Sequence, residues 1–357
     1  MLNESKAYYW LSLSGASAKR LNAILSVYSP IQIWELIASD KALQDAFKDK
    51  SSNLLKLRNL DLIEDRLYKI KQKGVKIMTR ANANFPNMLN QKEVSPPIVL
   101  YYKGSCECLS GENIAIVGTR KATRYGIDVA KRFSSDLVAN GICVVSGLAT
   151  GIDSFAHAAA VDSNGKTAAV LGGGLDYLSP YSVGLAEKII DGGGVVLTEY
   201  EPSFFPTRYT FPERNRIISG LSRAVIIIEA AERSGALITA SYALEQNREV
   251  YAVPGGVDAI RSEGCNKLIK DGQAAMVLSV ADVLEDLRID VKKTKKEALV
   301  LDVFEQKIYN KLQDGTTHLD DILELGFNLS QLTTILINLE MRQIIKKQAG
   351  NYYSLIM

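Results

Sequence analysis

Between Ala7 and Lys73 apolar residues return at three- and four-residue steps: Leu21, Ile24 and Leu25, then Ile33, Leu36 and Ile37, then Leu54, Leu57 and Leu60. This spacing predicts amphipathic helices, broken at Ser29-Pro30, and a small helical domain over 1–73. From Gly74 to Gly104 the pattern changes to two short strands, Val75–Met78 and Ile98–Tyr102, around a loop carrying Phe85-Pro86 and Pro96-Pro97. Strands flanked by proline belong at the edge of a sheet.

From Asn113 onward short continuous apolar runs alternate with helical stretches: Ile114–Val117, Ile142–Val145, Ala168–Leu171, Val195–Leu197, Ala224–Ile228, Val250–Val253 and Ala275–Leu278. Runs apolar on both sides predict a parallel sheet covered on both faces. The fold class is therefore α/β, with an extended Rossmann-like doubly wound sheet over 74–288. The lysine-rich run Val291-Lys292-Lys293-Thr294-Lys295-Lys296 predicts a linker over 289–297. In 298–357, three helices (Ala298–Leu312, Leu319–Leu325, Leu329–Met341) precede a hairpin, Ile344–Gln348 and Tyr352–Ile356, turning at Gly350-Asn351. That is the element order of a winged helix. Its third helix begins Ser330-Gln331-Leu332-Thr333-Thr334-Ile335 without Arg or Lys, which favours a protein contact or a structural role over groove reading.

The 357 residues, 47% hydrophobic and 23% charged, are those of a globular protein of two or three domains. With a net charge of +2, any attraction for a polyanion must be local. No window holds the roughly 18 continuous apolar residues of a membrane span. The start, MLNESKAYYW, lacks the basic and apolar regions of a signal peptide, so a cytoplasmic protein without a membrane partner is expected. Cys106, Cys108, Cys143 and Cys265 match neither a disulfide framework nor a zinc spacing, so free thiols and no metal are expected. The two histidines, His157 and His318, limit any Ser-His-Asp or Cys-His mechanism.

Ligands of an open parallel sheet bind beyond the carboxyl ends of its strands. Those ends carry glycine turns here: Gly118-Thr119-Arg120-Lys121, Ser146-Gly147-Leu148-Ala149-Thr150-Gly151-Ile152-Asp153 and Gly172-Gly173-Gly174-Leu175-Asp176. None is the dinucleotide fingerprint or a Walker loop, which disfavours a nicotinamide enzyme or an ATPase. Arg208, Arg214, Arg216 and Arg223 cluster without histidine or cysteine, in and after a loop expected to precede a helix at Ile217. They and Arg120 offer planar forks for phosphate, and Asn215 an amide for phosphate or a base edge. The competing structural reading pairs these arginines with Glu213, Glu229, Glu232 or Asp153. His157 is expected to be packed rather than catalytic, and Glu199 and Glu229 to orient arginines.

Gly118-Thr119-Arg120, Ser146-Gly147-Leu148-Ala149 with Gly151-Ile152-Asp153 and His157, Leu171 with Gly174-Leu175-Asp176, Phe211-Pro212 with Arg214-Asn215-Arg216-Ile217-Ile218-Ser219-Gly220, Glu229-Ala230 with Arg233-Ser234-Gly235 and Leu237-Ile238-Thr239-Ala240, and Val253-Pro254-Gly255 together resemble the DNA-processing protein A family (DprA, also called Smf). The resemblance covers the core in register. It implies a helical first domain like the SAM or helix-hairpin-helix type and a winged-helix end. It further implies a non-catalytic homodimer, without cofactor, that binds single-stranded DNA and loads RecA recombinase onto it in natural transformation and homologous recombination. By resemblance Arg120 and Arg208 fall where the family places DNA-contacting basic residues, and Arg214, Asn215 and Arg216 fit the same pocket; the strand-end turns add Gly118, Thr119, Lys121, Ser146, Gly147, Gly172 and Gly174 to the expected DNA-binding residues, and Tyr181 joins them as a ring that could stack a base. The resemblance also implies a dimer surface over Asn266 to Met276, with Asn266, Lys267, Ile269, Ala275 and Met276. The family commonly has Tyr-Pro and a basic residue after the Gly-Leu-Asp turn, where this chain reads Ser179-Pro180-Tyr181-Ser182-Val183, so that Tyr181 offers a stacking ring in place of a cation. Leu13-Ser14-Gly15-Ala16 keeps one glycine of the first domain's expected hairpin. The alternative is a nucleotide N-glycosidase or nucleotide-sensing protein on a related core, which shares Pro254-Gly255-Gly256 but not the Gly-Thr and catalytic Glu that follow it.

Overall fold

The computed structural model describes residues 1–290, 301–342 and 344–355. The expected linker run Val291–Lys296, the expected helix start at 298–300 and the final strand residue Ile356 lie outside them. The chain divides into two compact units, Met1–Lys292 and Lys293–Met357.

Six helices open the first unit: α1 (Glu4–Ser12), α2 (Ala18–Leu25), α3 (Pro30–Leu36), α4 (Lys41–Phe47), α5 (Ser51–Lys56) and α6 (Leu60–Gln72). The break at Ser29-Pro30 is a capping box: the Ser29 hydroxyl accepts from Gln32 N, the Gln32 side chain accepts from Ser29 N, and Pro30 takes the first helical position, where no N–H is needed. Trp10, Leu11, Ile33 and Leu54 of these helices share one buried core with Tyr101, Ala169 and Val196 of the sheet that follows.

That sheet comprises β1 (Lys76–Thr79), β2 (Val99–Gly104), β3 (Asn113–Gly118), β4 (Cys143–Ser146), β5 (Thr167–Val170), β6 (Val195–Thr198), β7 (Ala224–Ile228), β8 (Glu249–Ala252) and β9 (Ala275–Met276), in the spatial order β1-β2-β6-β5-β4-β3-β7-β8-β9. Every pairing from β6 across to β9 is parallel, while β2 pairs antiparallel with both β1 and β6 at one edge. The helices between are α7 (Arg124–Ala139), α8 (Ile152–Asp162), α9 (Pro180–Asp191), α10 (Thr210–Gly220), α11 (Gly235–Glu245), α12 (Glu263–Lys270) and α13 (Val280–Asp286). Side chains alternate along β3 as the strand period requires. Ile114 and Ile116 join Phe133 and Leu137 of α7 and Ala156 of α8 on one face, and Ala115 and Val117 join Ile217, Ile218, Ala236 and Ala240 of α10 and α11 on the other. Burying a side chain such as Phe133 contributes about 1.5–3 kcal/mol.

Two expectations are corrected here. The run Phe211–Arg216 is not a loop before a helix; it is the first half of α10. Pro212 does not prevent this, because the first turn of a helix has no intrahelical use for its N–H. Arg223 does not belong with the other arginines. It immediately precedes β7, at the amino end of the strands, and donates to Glu112 and to Leu287 O.

The second unit contains α14 (Val303–Gln313), β10 (Thr317–His318), α15 (Leu319–Leu323), α16 (Leu329–Met341), β11 (Ile345–Gln348) and β12 (Tyr352–Leu355). Its antiparallel sheet has the order β10-β12-β11, with β10 a strand that the apolar pattern does not announce. Gly350 at φ 76° and Asn351 at φ 59° give the β11–β12 hairpin its tight turn.

Candidate nucleic-acid interface

β3 and β7 are neighbours whose onward connections leave in opposite directions along the sheet, which makes their carboxyl ends a switch point where a crevice opens. α10 lays its side chains across this edge. Arg214, 5% exposed, donates through Nη1 to Gly147 O at 2.9 Å and to Val170 O, and through Nε to Asn215 Oδ1 at 3.2 Å. Its Nη2 makes no hydrogen bond among the described residues. Burial lowers the guanidinium's pKa to about 10, with the Arg120 charge adding to the effect and Asp153 opposing it. A Cβ on Gly147 would lie 2.7 Å from Arg214 Nη2 and 2.7 Å from Asp153 Oδ2, so only glycine admits both charges beside this turn.

Asp153, near the start of α8, is the acidic counterpart. Its Oδ2 accepts from Gly147 N at 3.1 Å, and the nearby backbones of Ala149 and Gly118 also favour its charged form. One buried carboxylate thus sits between the ends of β3 and β4. Burial raises its pKa, against the pull of Arg214.

Two hollows open on this framework. The first, about 290 Å³, is bounded by the Gly172–Gly174 turn, Gly147–Thr150, Tyr177–Ser179, Pro206, Phe211, Arg120 and Arg214. The second, about 540 Å³, is bounded by Val117, Gly118, Asp153, Arg208, Asn215 and the start of α11 at Ser234–Ala236, again with Arg120, Phe211 and Arg214. Arg120, Phe211 and Arg214 are therefore walls of both. The Arg120 guanidinium lies 5.7 Å from the Phe211 ring centre and makes no hydrogen bond among the described residues, so its donors are free for a ligand. Exposed aromatic rings stand nearby: Phe205 edge-on to Tyr177 at 5.2 Å, and Tyr209 under Arg208 at 4.7 Å.

The predicted residues divide accordingly. Gly118, Arg120, Gly147, Gly172, Gly174, Arg208, Arg214 and Asn215 line one or both hollows. Thr119, Lys121, Ser146 and Tyr181 line neither. Thr119 is held through its backbone, Lys121 is exposed, the Ser146 hydroxyl donates to Ile116 O at 2.6 Å, and Tyr181 on α9 is 89% exposed. Arg216 points elsewhere: it donates to Ser95 O at 2.9 Å and to the buried Glu199 carboxylate. Arg216 is thus fastened by a structural pair, with Glu199 rather than with Glu213, Glu229, Glu232 or Asp153, and Glu199 holds an arginine as expected. Glu229 holds no arginine directly; its carboxylate takes Thr123 at the start of α7. The Gly172–Gly174 turn is also tight for packing, since Cβ atoms on Gly172 and Gly173 would meet Phe211 at 2.8 Å and Pro206 at 2.7 Å. Sequence reasoning missed Phe211, Pro206 and Ser234. Their signal was adjacency to the arginine run and, for Ser234, its capping position before α11. Of the expected dimer residues, Asn266 grips Gly255 N and O at 3.1 Å each, Lys267 pairs with Glu232 at 3.0 Å, Ile269 packs on the core, and Ala275 and Met276 form β9 at the sheet edge.

His157, one turn beyond Asp153, is fully buried. The Thr167 hydroxyl donates to Val144 O at 2.6 Å and so accepts from His157 Nδ1–H at 2.7 Å. Burial, and secondarily the Arg214 charge, push its pKa down to about 3. An unfolded histidine takes a proton below about pH 6.5, whereas this folded one does not. His157 therefore contributes stability in full above pH 6.5, and that stability is lost as pH falls from there toward the folded value. The loss relative to His157→Asn, whose amide can replace Nδ1–H, is expected to reach about 2 kcal/mol by pH 5, at about 1.4 kcal/mol per pH unit. Urea unfolding of both proteins from pH 7.5 to 5 measures it, and parallel pH profiles would contradict it.

Among the described residues, no group of three or more His, Cys, Asp or Glu side chains is arranged to hold a metal ion, and no helix is long and apolar enough to cross a membrane.

A family model described as "DNA recombination-mediator protein A" matches residues 76–288. The Bacillus subtilis "DNA processing protein DprA" is 34% identical over 278 residues, which span 75% of this chain and 93% of that protein. The Synechocystis "Protein Smf" is 42% identical over 220 residues, 60% of this chain but only 55% of that protein's length. Among solved structures, DNA processing protein A from Streptococcus pneumoniae superposes with a TM-score of 0.67 at 31% identity, covering 80% of this chain and 99% of that one. The Helicobacter pylori protein, solved for its single-stranded DNA binding mode, gives 0.52 at 28% identity over 61% of this chain and 97% of that one.

Proposed function

We propose that this chain, which belongs to the DNA recombination-mediator protein A family, binds single-stranded DNA along the carboxyl edge of its parallel sheet. The observation that carries the reading is that Arg120 and Arg214 form a common wall of both hollows, each with guanidinium donors unused within the described protein. Phosphates are the anions such forks suit, and the exposed rings beside them offer faces to unstacked bases, which a duplex keeps inside its stack. The role is grip rather than bond breaking, because His157 is enclosed and no nucleophile paired with a base lines either hollow. The relative solved for its single-stranded DNA binding mode supports the same ligand.

The larger role follows the family: a cytoplasmic homodimer, joined through α12 and β9, that delivers RecA recombinase to the bound strand. We read 1–73 as a SAM-like helical domain, 74–288 as the DNA-binding core and 298–357 as a winged helix. The exposed positions of α16 carry no Arg or Lys, Glu340 being their one charge, which favours a protein contact for that unit.

Fluorescence anisotropy of a labelled oligothymidylate tests the DNA reading. With Arg120, Arg208 and Arg214 on phosphates, the logarithm of affinity against that of salt concentration should have a slope of about −2, at about 0.7 per contact. Arg120→Ala should weaken binding about tenfold and remove about 0.7 from that slope. Salt-independent binding, or equal affinity for a duplex of the same length, would sink the reading.

A further inference from the structure

The Arg120 loop owes its shape to Glu229, a residue that lines neither hollow. Glu229 directly follows β7 with φ at 52°, a left-handed conformation that is uncommon for a residue other than glycine. It is 4% exposed, and both its main chain and its side chain are committed to the segment that carries Arg120. Its carbonyl accepts from Thr119 N at 2.7 Å. Its carboxylate accepts from Thr123 N at 2.8 Å through Oε2 and from the Thr123 hydroxyl through Oε1. The same hydroxyl oxygen accepts from Gly126 N at 3.2 Å, and a Cβ on Gly126 would overlap the Glu229 carboxylate. Three residues between two fixed points, Thr119 and Thr123, therefore take their path from one glutamate, and Arg120 is the first of them. On the other side the loop is fastened by Ile152 N donating to Thr119 O at 3.2 Å.

We infer that Glu229 is the positioning residue for Arg120: it fixes the loop so that the guanidinium stands over Phe211 between the two hollows, without touching the ligand. A carboxylate suits this place because the start of α7 presents unpaired N–H groups and the positive end of a helix dipole. Occupying that place also keeps an external phosphate off the α7 terminus and leaves Arg120 as the loop's anion contact. A side chain that merely braced the fold would weaken DNA binding independently of Arg120. One that acts through Arg120 cannot.

The inference rests on the single-stranded DNA reading, and a double-mutant cycle separates the two. Oligothymidylate affinity is measured for the wild type, Arg120→Ala, Glu229→Gln and the double variant, with Thr123→Val as a second way to open the clamp should Glu229→Gln not fold. Each single variant is expected to lose about tenfold in affinity. The double variant should bind no more weakly than Arg120→Ala alone, and Thr123→Val should show the same dependence on Arg120. Glu229→Gln weakening both backgrounds by an equal factor, or neither, overturns the inference while leaving the DNA reading intact. An unchanged affinity for Arg120→Ala overturns both.

Discussion

Arg214→Ala is expected to lose about 3–5 kcal/mol of folding stability together with most of its affinity for single-stranded DNA, because one guanidinium serves both. Removing it strands Gly147 O and Val170 O, two buried acceptors, and leaves the buried Asp153 carboxylate without the positive charge that offsets its desolvation. It also strips both hollows of one of their two shared charged walls, leaving Arg120. Arg214→Lys is the informative companion. An ammonium restores the charge but cannot reach two carbonyls and the Asn215 amide with one planar fork, so stability should recover only in part and affinity should stay low. Chemical denaturation and oligothymidylate anisotropy on the same preparations measure the two losses. An Arg214→Ala protein with the wild-type midpoint, or with wild-type affinity, would show that this guanidinium is neither the buried anchor nor the grip described above.

The strands and their glycine-bearing carboxyl ends were legible because runs such as Ala224–Ile228 are apolar on both faces, and that pattern has one common solution, a parallel sheet under helices. The direction in which an arginine points was not legible. Arg214 and Arg216 lie two positions apart on α10, a spacing that turns successive side chains to different faces of a helix. Reading the stretch as a loop removed the very periodicity that separates them. Arg223 was grouped by nearness along the chain, yet the strand that follows it fixes its place at the far end of the sheet. The direct partner of Glu229 was hidden for a similar reason. At a strand's carboxyl end its nearest partners are the start of the helix that follows the neighbouring strand, here Thr123, and those become visible only when β3 and β7 are known to pair.

That separation on α10 yields the second large effect. Arg216→Ala is expected to lose about 3–5 kcal/mol of stability, comparable to Arg214→Ala, while oligothymidylate affinity and its salt slope stay at wild-type values. Arg216 lines neither hollow, and its partner Glu199 is enclosed with a second oxygen, Oε1, that has no hydrogen bond among the described residues. Burial already raises the Glu199 pKa although Arg216 pulls it down, so losing Arg216 raises it further. The folded variant then binds a proton more tightly than the unfolded chain does. The stability deficit should therefore grow as pH rises above the ordinary carboxylate range and shrink as pH falls toward it. A Glu199→Gln/Arg216→Met double variant removes both charges and should recover most of the loss, since the cost lies in leaving one buried charge unpaired rather than in lacking the pair. Urea unfolding at pH 5 and pH 8 for the three variants decides this. A pH-independent deficit would detach Arg216 from Glu199, and a fall in the salt slope matching that of Arg120→Ala would return it to the DNA groove.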